Sequence, residues 1–264
     1  MAQATVDSEA ASPGPLRRDR VVVAMGLLGL AALAWVYVVR LAMPRGHTDM
    51  SMPMAALAGW SVEELGWLAT MWVVMMVAMM IPSAAPAILL YADVSRRRRA
   101  QAIPAVSAGW FTLGYLVAWT AFAIVAATAQ WVLHGAALLS PAMTSASPLL
   151  GGALLIAAGV YQWLPLKGRC LTHCRSPIGF FAVEWREGPA GALAMGLRHG
   201  LHCVGCCWLL MALLFVARVM NLLWIAAIAG FVLVEKLVPG GRIAGRVAGA
   251  ALMGWGVLTL AGGL

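Results

Sequence analysis

The sequence predicts an all-α polytopic membrane protein, a bundle of about seven transmembrane helices with a cytoplasmic N-terminus. Composition is the first of three observations behind this. Of 264 residues, 62% are hydrophobic and only 11% charged, with a mean hydropathy of +0.87. A soluble domain carries about 25% charged residues, so the chain lacks the polar surface of an ordinary cytosolic enzyme. The second is a series of apolar runs near Val21–Val39, Trp67–Tyr91, Ile103–Trp131, Pro148–Leu166, His199–Ala217, Asn221–Val238 and Val247–Leu264. Each reaches or approaches the roughly 20 residues that a ~30 Å hydrocarbon layer requires. The third is the charge between the runs. With the N-terminus inside, fifteen cations face the cytoplasm, Arg96 to Arg99 among them, and only Arg40, Arg45 and Arg218 face outward. That is the positive-inside pattern. It explains the net charge of +8 as topology and removes the reason to invoke a nucleic-acid partner.

Taken in order, residues 1–20, with Pro13 and Pro15, are expected to form a disordered cytoplasmic tail. Residues 21–264 are expected to form a single transmembrane helical domain. The first run is too long for the apolar core of a secretion signal, so it reads as a retained span. The outer loop after it, Met43 to Met54, holds four methionines, His47 and Asp49. Alternate spacing lets Met50, Met52 and Met54 turn their sulfurs, with His47, toward one soft ion such as Cu(I). An apolar loop resting on the membrane surface accounts for it equally well.

In the second run Met71, Met75 and Met79 fall at i, i+4 and i+8, with Met76 and Met80 in a neighbouring row, so a helix carries a broad sulfur stripe. Gap filling explains any one of these methionines more simply than ligation does. Pro82 and Pro86 are expected to bend the inner half of this helix and free carbonyls that other protein groups must satisfy. The third, fourth and seventh runs are rich in alanine and glycine, as close helix packing in lipid requires. At the end of the sixth, Glu235 beside Lys236 reads as a helix-terminal residue that snorkels or pairs with a basic side chain.

The strongest signal lies around the fourth and fifth runs, in Cys170-Leu-Thr-His173-Cys174 and His199-Gly-Leu-His202-Cys203-Val-Gly-Cys206-Cys207. If Pro189 opens the fifth helix, His199, Cys203, Cys206 and Cys207 share one face, and Cys170 and Cys174 share another if their segment is helical. Thiols interleaved with imidazoles at membrane depth point to a metal or redox site. Facing the reducing cytoplasm, they are not expected to form stable disulfides.

The strings Met71 to Pro86, Tyr161 to Pro177 and His199 to Trp208, followed by Glu235-Lys236, resemble the predicted metal-binding integral membrane proteins, domain of unknown function 2182. The resemblance covers roughly residues 60 to 246. It implies an all-helical bacterial membrane protein, placed in the inner membrane, with ligands at these cysteines and histidines; members often carry the label copper chaperone.

Copper, as Cu(I), is the expected metal, because thiolates and thioethers together select it, whereas zinc would use the cysteines and histidines and ignore the methionines. The alternative is a membrane thiol–disulfide oxidoreductase in which Cys203 and Cys206, a C-x-x-C pair, relay electrons to Cys170 or Cys174. Otherwise no enzymatic activity is expected. No Walker motif appears, so ATP-driven pumping is not expected. Thioethers outside and thiolates inside would instead draw Cu(I) inward, for release to a soluble copper-accepting protein. Whether the second and fifth runs meet is a question for the fold.

Overall fold

The computed structural model describes residues 15–43, 62–135, 147–216 and 219–262. They form nine α-helices and a short 3-10 turn at Leu213–Phe215, with no strand among them. The helices are α1 (Pro15–Ala42), α2 (Val62–Ala100), α3 (Ala108–Gly135), α4 (Pro148–Tyr161), α5 (Pro165–Arg175), α6 (Pro177–Glu184), α7 (Gly188–Ala212), α8 (Leu222–Leu237) and α9 (Gly241–Leu260). The outer-loop residues His47, Met50, Met52 and Met54 lie outside the described residues, as do residues 1–14 of the expected tail.

Five stretches are long and apolar enough to cross a membrane: Asp19–Ala42, Glu63–Ala100, Ala108–Leu133, Gly188–Phe215 and Gly241–Leu260. A sixth arises if α4 and α5, bent by 64° at the break between them, count as one span. Seven full-length spans are therefore not established, and the reason is visible at two of the expected runs. α4 has 14 residues and α8 has 16, which at ~1.5 Å per residue is well short of a ~30 Å layer. Pro165 stands at the first turn of α5 and marks where the fourth apolar run changes direction. α8 starts where the Asn221 side chain accepts from the Leu223 and Trp224 amides and stops before Pro239-Gly240, with Gly240 at φ +84°.

The remaining boundaries differ from the runs in either direction, α3 starting later than its run and α9 ending earlier. α1 begins at Pro15, so the last residues of the expected tail are helical. α7 begins at Gly188, eleven residues before His199, with its proline in the first turn as the spacing suggested. α2 continues as one helix through Pro82 and Pro86.

α2 is flanked by α1 and α3, α7 runs along α3, α4 runs along α9, and α5 lies across α7. The α3–α7 contact is backbone on backbone. A Cβ at Gly196 would stand 1.9 Å from the Phe111 carbonyl oxygen, and one at Gly114 would stand 2.1 Å from that of Leu193. α4 and α9 meet in the same way, through Gly159 and Gly249.

Ion pairs gather the charged end of the bundle. Asp93 near the end of α2 binds Arg96 and stands 3.6 Å from Arg20 of α1, Arg98 binds Glu187 at the start of α7, and Arg198 binds Glu184. α5, α6 and the α8–α9 turn sit at this same end.

Candidate metal centre

On α7 the 3.6-residue period carries His199, Cys203, Cys206 and Cys207 to one buried face, as the spacing suggested. Cys170 and Cys174, one turn apart on α5, are half-buried against it. α5 can lie this close because position 205 is glycine, where a Cβ would come within 2.9 Å of the Cys170 sulfur. The close packing of α5 on α7 brings the two cysteine motifs side by side. Cys206 and Cys207 both donate to the Cys203 carbonyl, at 3.1 and 3.0 Å. Among the described residues, no three His, Cys, Asp or Glu side chains stand as a ready-made metal cage.

Three polar groups from other helices complete the cluster, and none was singled out from the sequence as part of the site. Lys236 of α8, 5% exposed, donates to the Cys203 sulfur at 2.8 Å and to Ser83 Oγ at 3.1 Å. The Tyr115 hydroxyl of α3 donates to the Met80 carbonyl at 3.2 Å and lies 3.1 Å from the Cys203 sulfur. The second and fifth apolar runs are thus joined at Cys203, by Tyr115 to Met80 and by Lys236 to Ser83. A lysine inside an apolar helix was the available signal; for Tyr115 and Ser83 there was none.

The histidines divide into two environments. His199, 3% exposed, packs among Phe111, Tyr115 and Phe180, and its Nδ1 has no hydrogen-bond partner among the described residues. His173 and His202 stack with ring centroids 4.2 Å apart. Each donates from Nδ1 to the carbonyl four residues earlier, Arg169 at 3.0 Å and Arg198 at 2.7 Å. With Nδ1 bound to the backbone, Nε2 is the ring nitrogen left free to ligate.

Met75, Met76, Met79 and Met80 are fully buried in the α2 core and Met71 is half-buried. Glu235 is 2% exposed and forms an ion pair with Lys167 at 2.7 Å. It does not snorkel. Lys167 is buried in that pair and also binds Gln162, because the α4–α5 bend folds it under α8. Arg175 closes the same corner by binding the Glu235 carbonyl.

A family model described as copper chaperone, PpoB2, matches residues 69–259. That stretch contains every cysteine, the methionines of α2 and Lys236, and it excludes His47, Met50, Met52 and Met54. No curated protein matches the chain, and no solved structure does.

Proposed function

Because the chain belongs to the PpoB2 copper chaperone family, we propose that it is a membrane protein that receives Cu(I) in the cluster of Cys174, Cys203, Cys206 and Cys207 and yields it to a soluble copper-accepting protein. The carrying observation is that the buried Lys236 ammonium donates at 2.8 Å to the sulfur of Cys203, which lies on the same buried helix face as Cys206 and Cys207. Thiolate sulfur is the ligand that selects Cu(I). An ion held by two thiolates carries one net negative charge, which a single lysine balances without further counter-charge. Cys170 and the unpartnered Nδ1 of His199 extend the donor set. The membrane reading rests on the five long apolar helices.

The two ends of the route divide by ligand type. His173 and His202 form an exchange port, because imidazoles anchored through Nδ1 are accessible and bind Cu(I) less tightly than thiolates do. Met71, Met75 and Met79, with the outer-loop His47, Met50, Met52 and Met54, supply thioether and imidazole donors on the approach from the other side. Cu(I) entry displaces thiol protons, and Cys206 and Cys207 must turn away from the Cys203 carbonyl to ligate.

A disulfide relay through Cys203 and Cys206 is the less favoured reading. Both sulfurs are buried, and exchange requires attack on an accessible sulfur. In cells, thiol trapping is expected to find both reduced or metal-protected. A mixed disulfide with another protein would favour the oxidoreductase instead.

The central experiment is a competition titration of the purified, reduced chain against a Cu(I) chelator. Wild type should bind copper, and Cys203→Ser/Cys206→Ser/Cys207→Ser should lose it. Equal affinities would remove the cluster from the function. Ligand thiols must lose protons, so wild-type affinity should fall as pH is lowered.

A further inference from the structure

The elbow between α4 and α5 encloses a cavity of about 310 Å³, bounded by the elbow, the end of α8 and the first turns of α9. Its wall carries three guanidiniums, Arg169, Arg242 and Arg246. None of the three forms an ion pair among the described residues. Arg242 donates to the Thr172 hydroxyl at 2.7 Å, and Arg246 lies 5.9 Å from the centre of the Trp163 ring. Glu235, the one carboxylate on the wall, is occupied by Lys167, so the cavity keeps three uncompensated positive charges. At its mouth the Trp163 indole is 54% exposed, beside the exposed Leu164.

We infer that this elbow binds the phosphate of an anionic phospholipid. The inference rests on the chain spanning a bilayer, as proposed above. Guanidinium forks match phosphate oxygens in a bidentate way that isolated ammonium groups do not. Basic pockets between helices at the membrane surface hold lipid headgroups by this chemistry. The indole and leucine at the mouth suit the boundary between headgroup and acyl chain, where tryptophan concentrates. The bend in the chain creates the site: a straight helix through residues 148–175 would carry Arg169 away from Arg242 and Arg246.

A zwitterionic lipid brings its own cation, which three guanidiniums repel, so net charge should separate the ligands. The detergent-purified full chain is titrated with dihexanoyl-phosphatidylglycerol, dihexanoyl-phosphatidylcholine or inorganic phosphate, reading the thermal melt and counting bound lipid by native mass spectrometry. Phosphatidylglycerol should bind about tenfold or more tightly than phosphatidylcholine. Arg169→Gln/Arg242→Gln/Arg246→Gln should abolish that preference while keeping its lipid-free melting temperature, and the corresponding lysine variant should retain part of it. Equal binding of the two lipids to wild type would overturn the inference, a comparison that needs no variant. Displacement of phosphatidylglycerol by equimolar inorganic phosphate would make this a free-phosphate site and overturn the lipid assignment. Recovery of the chain from cells in the soluble fraction without detergent would fail the membrane reading itself.

Discussion

A buried ammonium in an apolar helix is costly unless something nearby answers its charge. At Lys236 the answering groups are a hydroxyl and thiols, which supply full compensation only when a thiol carries negative charge, as it does in a metal thiolate. Lys236→Met should therefore lower Cu(I) affinity by about 10- to 100-fold, the range for groups that support metal ligands. The copper-free protein should not lose melting temperature, since an unshared buried charge has been removed. Lys236→Arg should keep most of the affinity. Unchanged affinity in Lys236→Met, measured by the same chelator competition, would reduce the lysine to a packing role. The ligands around it were legible in the chain because cysteines and histidines at i, i+4, i+7 and i+8 declare a common face. Lys236, Tyr115 and Ser83 were not, because their contacts join residues 33, 88 and 153 positions apart, and pairings at that range follow from helix packing.

Among the elements, the α3–α7 contact holds the site together, since it aligns Tyr115 with Cys203. Gly196 makes the contact possible, and the obstacle to a side chain there is the Phe111 backbone, which cannot rotate out of the way. Gly196→Ala should cost about 1–3 kcal/mol by overpacking, seen as a lower melting temperature, and should also weaken Cu(I) binding by displacing Tyr115. Gly254→Ala, on α9 with nothing within 4 Å of the new Cβ, should be neutral or slightly stabilising. If the two variants melt alike, the close approach of α3 and α7 is wrong. Seven of the nine helices overlap the apolar runs, whereas α5 lies almost wholly past the fourth run and α6 in none of them. The α4–α5 elbow was not legible, because the run continues unbroken in hydrophobicity through Leu164-Pro-Leu166 and only the proline marks the turn. In α2 the two prolines, Pro82 and Pro86, do not end the helix, which runs on through both.

At the scale of the whole molecule, the proposed route grades its donors along the bundle. Thioethers of Met71, Met75 and Met79 line α2 as it descends to Met80, whose carbonyl holds Tyr115 against Cys203. The thiols and then the paired imidazoles lie toward the end that carries Arg96 to Arg99. On the proposed function, with that end assigned to the cytoplasm by the positive-inside rule, Cu(I) affinity would rise inward to the thiols and fall again at the imidazoles. Such a profile would capture copper without an energy source and release it only to a soluble acceptor that itself offers thiolates. Met75→Leu/Met79→Leu tests the approach, because leucine matches methionine in volume and a packing role would cost less than about 1.5 kcal/mol. The double variant should keep its melting temperature and its chelator-measured Cu(I) affinity, while vesicles containing it should accumulate Cu(I) several-fold more slowly at limiting external copper. Accumulation equal to wild type would leave these methionines as core filler, and net loss of copper from loaded vesicles in the right-side-out orientation would reverse the direction of transfer.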